Sequence, residues 1–218
     1  RMPDFYAIYV RQLDYKVKGE DEKALQLLQL MTEMEPNNTS HWAQRITEAY
    51  SQNKFEACLQ AIRQSRELGQ PLSFQQILEA KCLLWLEKAD EGLELMEQYT
   101  RQNPEDQQGL LLKGQLLLAK GNLAEARELF QRGSLRFGEI EAFEAMLAHV
   151  EYAESHPPLK EEELATYTGT YWADFLTVMR FEIGAALGTL TFQTDNQPAF
   201  LLYATSDSTF GTVHNIKL

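Results

Sequence analysis

The sequence predicts an α+β protein in two domains, an all-α helical solenoid followed by a small antiparallel β meander or partial barrel. The first observation behind this fold class is a helix-turn-helix pattern that recurs every 34 residues up to about residue 140. The second is a change of composition after residue 158, where runs rich in Thr, Val, Phe, Tyr and Leu alternate with turn sequences. Runs of helices followed by runs of strands favour segregated α and β parts.

Small side chains mark the repeat. They recur every 34 positions in the second helix of each unit, and a bulky apolar residue follows each of them by four positions. The small residues are Ala24, Cys58, Gly92 and Ala126, and the bulky ones are Leu28, Ile62, Met96 and Phe130. The small residue lets two helices approach closely, and the bulky one fills the gap against the next unit.

Turn residues and helix breakers divide the helical part into four repeats. Gly19, Asn53 and Gly121 precede the second helices and favour a left-handed backbone, whereas Glu87 occupies the same position without that preference. The predicted segments are repeats at about 5–38, 39–72, 73–106 and 107–140, a capping helix at 140–154, a linker at 156–165 and a β domain at 166–218. The domain boundary therefore falls after residue 155.

This period resembles the tetratricopeptide repeat, on the residues given above together with Trp42, Ala80 and Gly114 in the first helices. Arg45 and Glu79 depart from the family pattern, because an apolar residue is usual at their positions. The resemblance covers about residues 5–140 and implies a groove, lined by the first helices, that binds a protein or peptide. The groove residues that it implies are Tyr9, Leu13, Thr47, Tyr50, Lys81, Trp85, Leu111, Gln115 and Leu118. A scaffold or spacer array is the alternative.

The C-terminal part predicts four strands. They are expected at 166–172, 175–182, 187–193 and 198–204, with turns at 182–188 and 194–198. The charged connector at 160–164 is expected to form one helical turn. Because a short meander has little core of its own, we expect aromatic residues of the opening strand to form the seam between the domains. The predicted seam residues are Tyr167, Gly169, Tyr171 and Trp172.

A second resemblance covers about residues 164–218. The matching residues are Tyr167, Gly169, Tyr171, Leu190, Gln197, Pro198, Phe200, Leu202, Ser206 and Phe210. This pattern is similar to the small β domain found C-terminal to serine hydrolases of the β-lactamase and penicillin-binding type. The resemblance implies an accessory region of a hydrolase whose catalytic domain lies outside this chain, and it favours a periplasmic or extracytoplasmic location. The family has a further strand between the positions of Phe210 and Gly211, so that strand is either missing from the protein or absent from this sequence.

The charge and the motifs of the sequence disfavour nucleic-acid binding, a membrane span and serine catalysis. A net charge of −12 without a basic cluster disfavours a nucleic-acid partner, and no apolar run reaches the ~20 residues of a membrane span. Ser51 and Lys54 fit Ser-x-x-Lys, but the repeat register places them on different elements. We therefore predict no catalytic residue, cofactor or metal site in this chain. The expected function is a non-catalytic protein-binding or peptide-binding or scaffolding module, and a third possibility is small-molecule or lipid binding inside the β domain.

Overall fold

The computed structural model describes residues 5–69, 74–138, 140–157, 159–174, 178–194, 197–206 and 209–211. The chain forms two compact units, which are residues 1–82 and 83–218. In the second unit the last repeats pack together with the sheet. The predicted boundary after residue 155 stays a prediction.

The first unit is helical. It contains α1 (Phe5–Val17), α2 (Asp21–Met34), α3 (Thr39–Ser51), α4 (Phe55–Glu67) and most of α5 (Gln75–Trp85). The predicted small and bulky repeat positions Ala24, Leu28, Cys58 and Ile62 are all buried in this unit. Burial of these positions is what the repeat pattern requires, since a single helix pair cannot bury its apolar face alone.

The second unit combines helices and a sheet. After the end of α5 come α6 (Ala89–Gln102), α7 (Gln107–Ala119), α8 (Leu123–Phe137), α9 (Glu141–Ser155) and the short α10 (Glu161–Ala165). The strands are β1 (Gly169–Asp174), β2 (Val178–Ala186), β3 (Thr189–Thr194), β4 (Phe200–Ser206) and β5 (Thr209–Gly211). The second helices of the repeats begin at residues 21, 55, 89 and 123, each 34 after the last. The predicted fold class is confirmed.

Each helix pair turns with the same backbone geometry. Gly19, Asn53, Glu87 and Gly121 all have positive φ, between 56° and 75°. At Glu87 the amide donates to the carbonyl of Leu84, and the amide of Lys88 donates to that of Leu83. The same pair of hydrogen bonds recurs at the three equivalent turns. This is the Schellman motif, which satisfies the last carbonyls of a helix. Glu87 adopts it without the residue type that favours it.

The two polar departures in the first helices have polar partners. The Arg45 guanidinium is buried and donates from Nη1 to Thr32 Oγ1 at 3.0 Å and to Gln64 Oε1 at 3.2 Å. The Glu79 carboxylate accepts from Arg66 Nη2 at 2.5 Å. Buried polar groups are tolerated when they are hydrogen-bonded. The polar side chains therefore replace apolar packing at these positions without disturbing the repeat.

A close helix contact in the second unit depends on glycine. A Cβ atom on Gly114 of α7 would lie 2.1 Å from the Phe130 ring of α8. In the same way, a Cβ atom on Gly133 would lie 2.4 Å from the ring of Phe143 on α9. These separations are far below van der Waals contact, so α7, α8 and α9 approach one another only because these two positions lack a side chain.

The five strands form an antiparallel meander in the order β1-β2-β3-β4-β5, curled into a half-barrel. Its inner face is filled by Leu190, Phe192 and Leu202, and Leu164 of α10 packs on the same cluster. The curl brings Tyr167, just before β1, to 6.5 Å from Phe210 of β5 between ring centroids. The predicted helical turn at 160–164 is therefore confirmed, and it packs against the sheet.

The turn predicted at 182–188 is wrong, because β2 continues to Ala186. Only Leu187 and Gly188 form the turn, with φ of 55° and 72°, as in a two-residue hairpin. The small residues of this segment belong to the strand for a packing reason. A Cβ atom on Gly184 would lie 2.7 Å from Thr191 Oγ1, the residue paired with it on β3.

Strand β4 is buried on both faces. Leu202 points into the sheet core, while Leu201 and Tyr203 are also less than a tenth exposed. The outer face of β4 packs against α9, the capping helix of the repeats. The sheet thus joins the helices of the second unit through β4.

Candidate functional site

The predicted groove residues of the first unit lie on the first helices α1, α3 and α5. Tyr9 and Leu13 are 36% and 43% exposed, Thr47 is exposed, and Tyr50 and Lys81 are half-buried. Leu13, Thr47 and Lys81 occupy one repeat position, 34 residues apart. Burial lowers the pKa of the Lys81 amine, because it disfavours the charged form. These residues stay a predicted binding surface.

The remaining predicted groove residues belong to the second unit, where the sheet reaches the same repeat position. Trp85, Leu111, Gln115 and Leu118 are half-buried. Gln115 is the equivalent of Lys81 one repeat later, and its Nε2 donates to the Tyr203 hydroxyl oxygen at 3.0 Å. Strand β4 therefore contacts α7 at the position that the repeat pattern assigns to binding.

A histidine on α9 completes this junction. His149 Nδ1 donates to the Ala204 carbonyl at 2.8 Å, and its ring lies 4.9 Å from the Tyr203 ring between centroids. Burial lowers the pKa of His149, although the bond to Ala204 opposes the shift, so the imidazole is neutral near pH 7. Burial also raises the pKa of Tyr203, while the bond from Gln115 opposes the shift. Both rings are thus uncharged.

A cavity of about 450 Å³ opens beside these two rings, within the second unit. It is bounded by α7, α9, the Leu187–Gly188 hairpin, β4 and the chain just after α9. Its apolar walls include Leu118, Leu123, Ala153, Leu159, Leu187 and Leu201. Gln115, His149, Thr189 and Tyr203 add polar groups to the same walls. A cavity of this size and composition is typical of a small-molecule site.

The four residues predicted as the domain seam lie at or next to β1, the edge strand that precedes β2, β3 and β4 in the sheet order. Tyr167, Tyr171 and Trp172 are 48%, 40% and 66% exposed. The Tyr171 ring stacks on Phe181 of β2 at 5.7 Å, and its hydroxyl donates to the Tyr167 carbonyl. Gly169 is exposed as well. The sheet meets α9 through β4 instead, because β4 carries apolar side chains on both faces.

The remaining sequence features can be located among the described residues. Ser51 ends α3 and its hydroxyl donates to the Glu48 carbonyl, whereas Lys54 precedes α4, as the repeat register predicted. Within the described ranges, His, Cys, Asp and Glu form no cluster that could hold a metal ion. None of the helices described is long and apolar enough to cross a membrane. The residues beyond Gly211 lie outside the described residues.

Sequence reasoning missed His149 and Tyr203. His149 was one of four scattered histidines, and Tyr203 lay in a strand without polar alternation. The unbroken apolar run from Phe200 to Ala204 could have indicated this junction. Such a run is typical of a strand buried on both faces, and a strand of this kind needs a second surface to pack against. The capping helix was the nearest candidate for that surface.

A sequence model described as Tetratricopeptide repeat matches residues 78–134. Over these residues the chain is similar to the tetratricopeptide repeat. This match includes the predicted small and bulky positions Gly92, Met96, Ala126 and Phe130, and the first-helix residue Gly114. No curated protein sequence matches the chain.

Several solved tetratricopeptide-like structures are similar in fold. MamA from Desulfovibrio magneticus has a TM-score of 0.58 and 15% identity, over 71% of this chain and 88% of MamA. A tetratricopeptide repeat protein from Parabacteroides merdae has a TM-score of 0.55 and 18% identity, over 69% of this chain and 61% of that one. YrrB, described as a tetratricopeptide protein with an unusual peptide-binding site, has a TM-score of 0.53 and 14% identity, over 74% and 84%. At these identities the likeness shows the fold alone.

Solenoid arrays present a continuous surface built from equivalent positions of successive repeats.

Proposed function

We propose that the first unit binds a peptide segment of a partner protein on the first-helix surface formed by Tyr9, Leu13, Thr47, Tyr50 and Lys81. The observation that carries this proposal is the contact between Gln115 and Tyr203 in the second unit. There, a strand of the same chain occupies the repeat position that Leu13, Thr47 and Lys81 hold in earlier repeats. That position therefore suits contact with extended polypeptide.

The chemistry of the surface defines the peptide. Tyr9 and Leu13 are exposed apolar side chains, which favour aromatic or aliphatic partners. Burial lowers the pKa of the Lys81 amine, and a carboxylate beside it would favour the charged form. We infer a peptide with apolar residues and one acidic residue.

Selection from a displayed peptide library against the full chain tests this proposal, followed by titration of a selected peptide. Thr47→Arg places a large cation on the surface from an exposed position and is expected to weaken binding more than about tenfold, the effect of a disrupted interface centre. Gln60→Arg is the matched control, because Gln60 is exposed on the second helix α4. Lys81→Glu is expected to weaken binding of acidic peptides selectively.

Two results would count against the peptide surface. One is a selected peptide whose affinity falls equally with Thr47→Arg and Gln60→Arg. The other is a selection that enriches no peptide dependent on Thr47 or Lys81.

We also propose, as a second candidate, that the β domain is the accessory region of a serine hydrolase of the β-lactamase or penicillin-binding type. Its support is the set of sequence matches from Tyr167 to Phe210. Determining the complete coding sequence around this segment tests the idea. A neighbouring domain with a Ser-x-x-Lys nucleophile motif on one helix supports it, and a complete reading frame without such a domain rejects it.

A further inference from the structure

The cavity of the second unit has no carboxylate, amine or guanidinium group among its described lining residues, and the histidines that line it are His149 and His156. None of the described residues that line it is Asp, Glu, Lys or Arg, although the chain as a whole carries a net charge of −12. An ionised group would lose hydration there without gaining a counter-charge, which is costly. The cavity therefore selects an uncharged occupant.

Tyr203 and His149 each make one hydrogen bond within the protein, and that bond determines whether the remaining polar atom of each side chain donates or accepts. The Tyr203 oxygen accepts from Gln115, which leaves its hydroxyl hydrogen for donation to another group. The Nδ1 of His149 carries the hydrogen donated to Ala204, so Nε2 of the neutral ring is an acceptor. The two rings lie 4.9 Å apart between centroids. One donor and one acceptor side by side match a hydroxyl group, which both accepts and donates.

The volume sets the size of the occupant. An engineered cavity of ~150 Å³ holds a benzene molecule, and this one is about 450 Å³. Two fused aromatic rings or an aliphatic chain of comparable bulk would fit between the leucine side chains.

We propose that this cavity is a binding site for an uncharged, largely apolar small molecule with one hydroxyl group, held by Tyr203 and His149. The site lies outside the curled interior of the sheet, which Leu190, Phe192 and Leu202 fill. It shares no residue with the peptide surface proposed for the first unit, so either proposal can fail alone.

Calorimetric titration of the full chain with three matched probes tests the inference. The probes are 2-naphthol, naphthalene and 2-naphthalenesulfonate, which share one ring system and differ in the hydroxyl and the charge. We expect saturable binding of 2-naphthol, weaker binding of naphthalene and binding of the sulfonate at least about tenfold weaker than that of 2-naphthol.

Three variants locate the binding. Tyr203→Phe is expected to weaken 2-naphthol binding about fivefold while leaving naphthalene within about twofold, as for loss of one hydrogen bond. Tyr99→Phe is the matched control, because it removes a hydrogen-bonded tyrosine hydroxyl of the same unit that does not line this cavity. Ala153→Phe fills the cavity and is expected to abolish binding of both uncharged probes.

The inference is overturned if neither uncharged probe binds saturably, or if the sulfonate binds as tightly as 2-naphthol. It is also overturned if Ala153→Phe leaves 2-naphthol binding unchanged, or if Tyr99→Phe weakens it as much as Tyr203→Phe. A fifth contrary result is a peptide that needs the cavity while no probe binds, since the occupant would then be a protein side chain. A circular-dichroism melt of each variant confirms that it is folded before titration.

Discussion

Glu87 shows how strongly a backbone motif can be imposed on a residue that does not favour it. Its φ of 58° lies in the left-handed region, where a side chain costs about 1–2 kcal/mol. The two Schellman hydrogen bonds to Leu83 and Leu84 hold it there. At the equivalent turn Gly121 has the same geometry without a side chain.

Glu87→Gly is therefore expected to raise the free energy of unfolding by about 0.5–1 kcal/mol, since relief of the left-handed strain outweighs the entropy gained by the unfolded chain. Urea denaturation followed by circular dichroism measures the change. Gly121→Ala is the reciprocal control and is expected to lower the free energy of unfolding by about 1 kcal/mol. If the free energy of unfolding changed with the same sign in both variants, the two turns would not share the left-handed backbone geometry.

Single residues were predictable where residue type and backbone agree. Gly19, Asn53 and Gly121 indicated the turns because their types favour positive φ. Glu87 could be placed only by the period, as its type gives no such signal. Arg45 and Glu79 were recognised as departures, but their partners Gln64 and Arg66 lie on another helix and could not be inferred locally.

Among the elements, α7 and α8 depend on the absence of a side chain at Gly114. Gly114→Ala would favour the helix by about 1 kcal/mol in isolation, yet its Cβ would lie 2.1 Å from the Phe130 ring. We expect a net loss of about 1–3 kcal/mol, the usual cost of overpacking a core. Chemical denaturation of the variant measures it.

Combining Gly114→Ala with Phe130→Leu provides the control. A smaller side chain at 130 relieves the overlap, so the double variant should lose less than the sum of the two single variants. If the losses of unfolding free energy in the two single variants simply add in the double variant, the overlap between the added Cβ at position 114 and the Phe130 ring is not what destabilises Gly114→Ala.

The elements themselves were predicted with uneven success. Helix starts at 21, 55, 89 and 123 follow the 34-residue period because small and bulky residues repeat with it. The end of β2 was missed because Gly184, Ala185 and Ala186 have low strand propensity. They pair with Thr191, Leu190 and Thr189 of β3, and local sequence does not show this pairing.

At the scale of the second unit, the neutral state of His149 links stability to pH. Burial lowers its pKa in the folded state below the ordinary value of about 6.5. The unfolded chain therefore binds the extra proton first as the pH falls through about 6.5, and stability decreases below that pH.

We expect the free energy of unfolding to fall more steeply between about pH 7.5 and about pH 5.5 in the native chain than in His149→Gln. Glutamine can still donate to the Ala204 carbonyl but does not titrate. His41, whose pKa burial also lowers, is present in both proteins and cancels in the comparison. Parallel pH profiles in urea denaturation would show that His149 is not responsible.

The junction around His149 could not be predicted from the sequence. Gln115 was placed on the binding face by the repeat register, but Tyr203 lies 88 positions away and His149 contacts Ala204 over 55 positions. The 34-residue period predicts contacts within a repeat or between neighbouring repeats. The contacts of Tyr203 and Ala204 depend instead on how the sheet packs against α9. Partner identity is likewise not encoded in the spacing of the groove positions.

The two-sided burial of β4 also has a consequence in time. The outer face of β4 is covered by α9, and α9 is synthesised before β4. His149 is made 55 residues before Ala204, its hydrogen-bond partner. At the usual ~5–20 residues per second, that interval is roughly 3–11 s. For that period the face of α9 that β4 covers in the folded protein has no partner strand, and a chaperone could shield it.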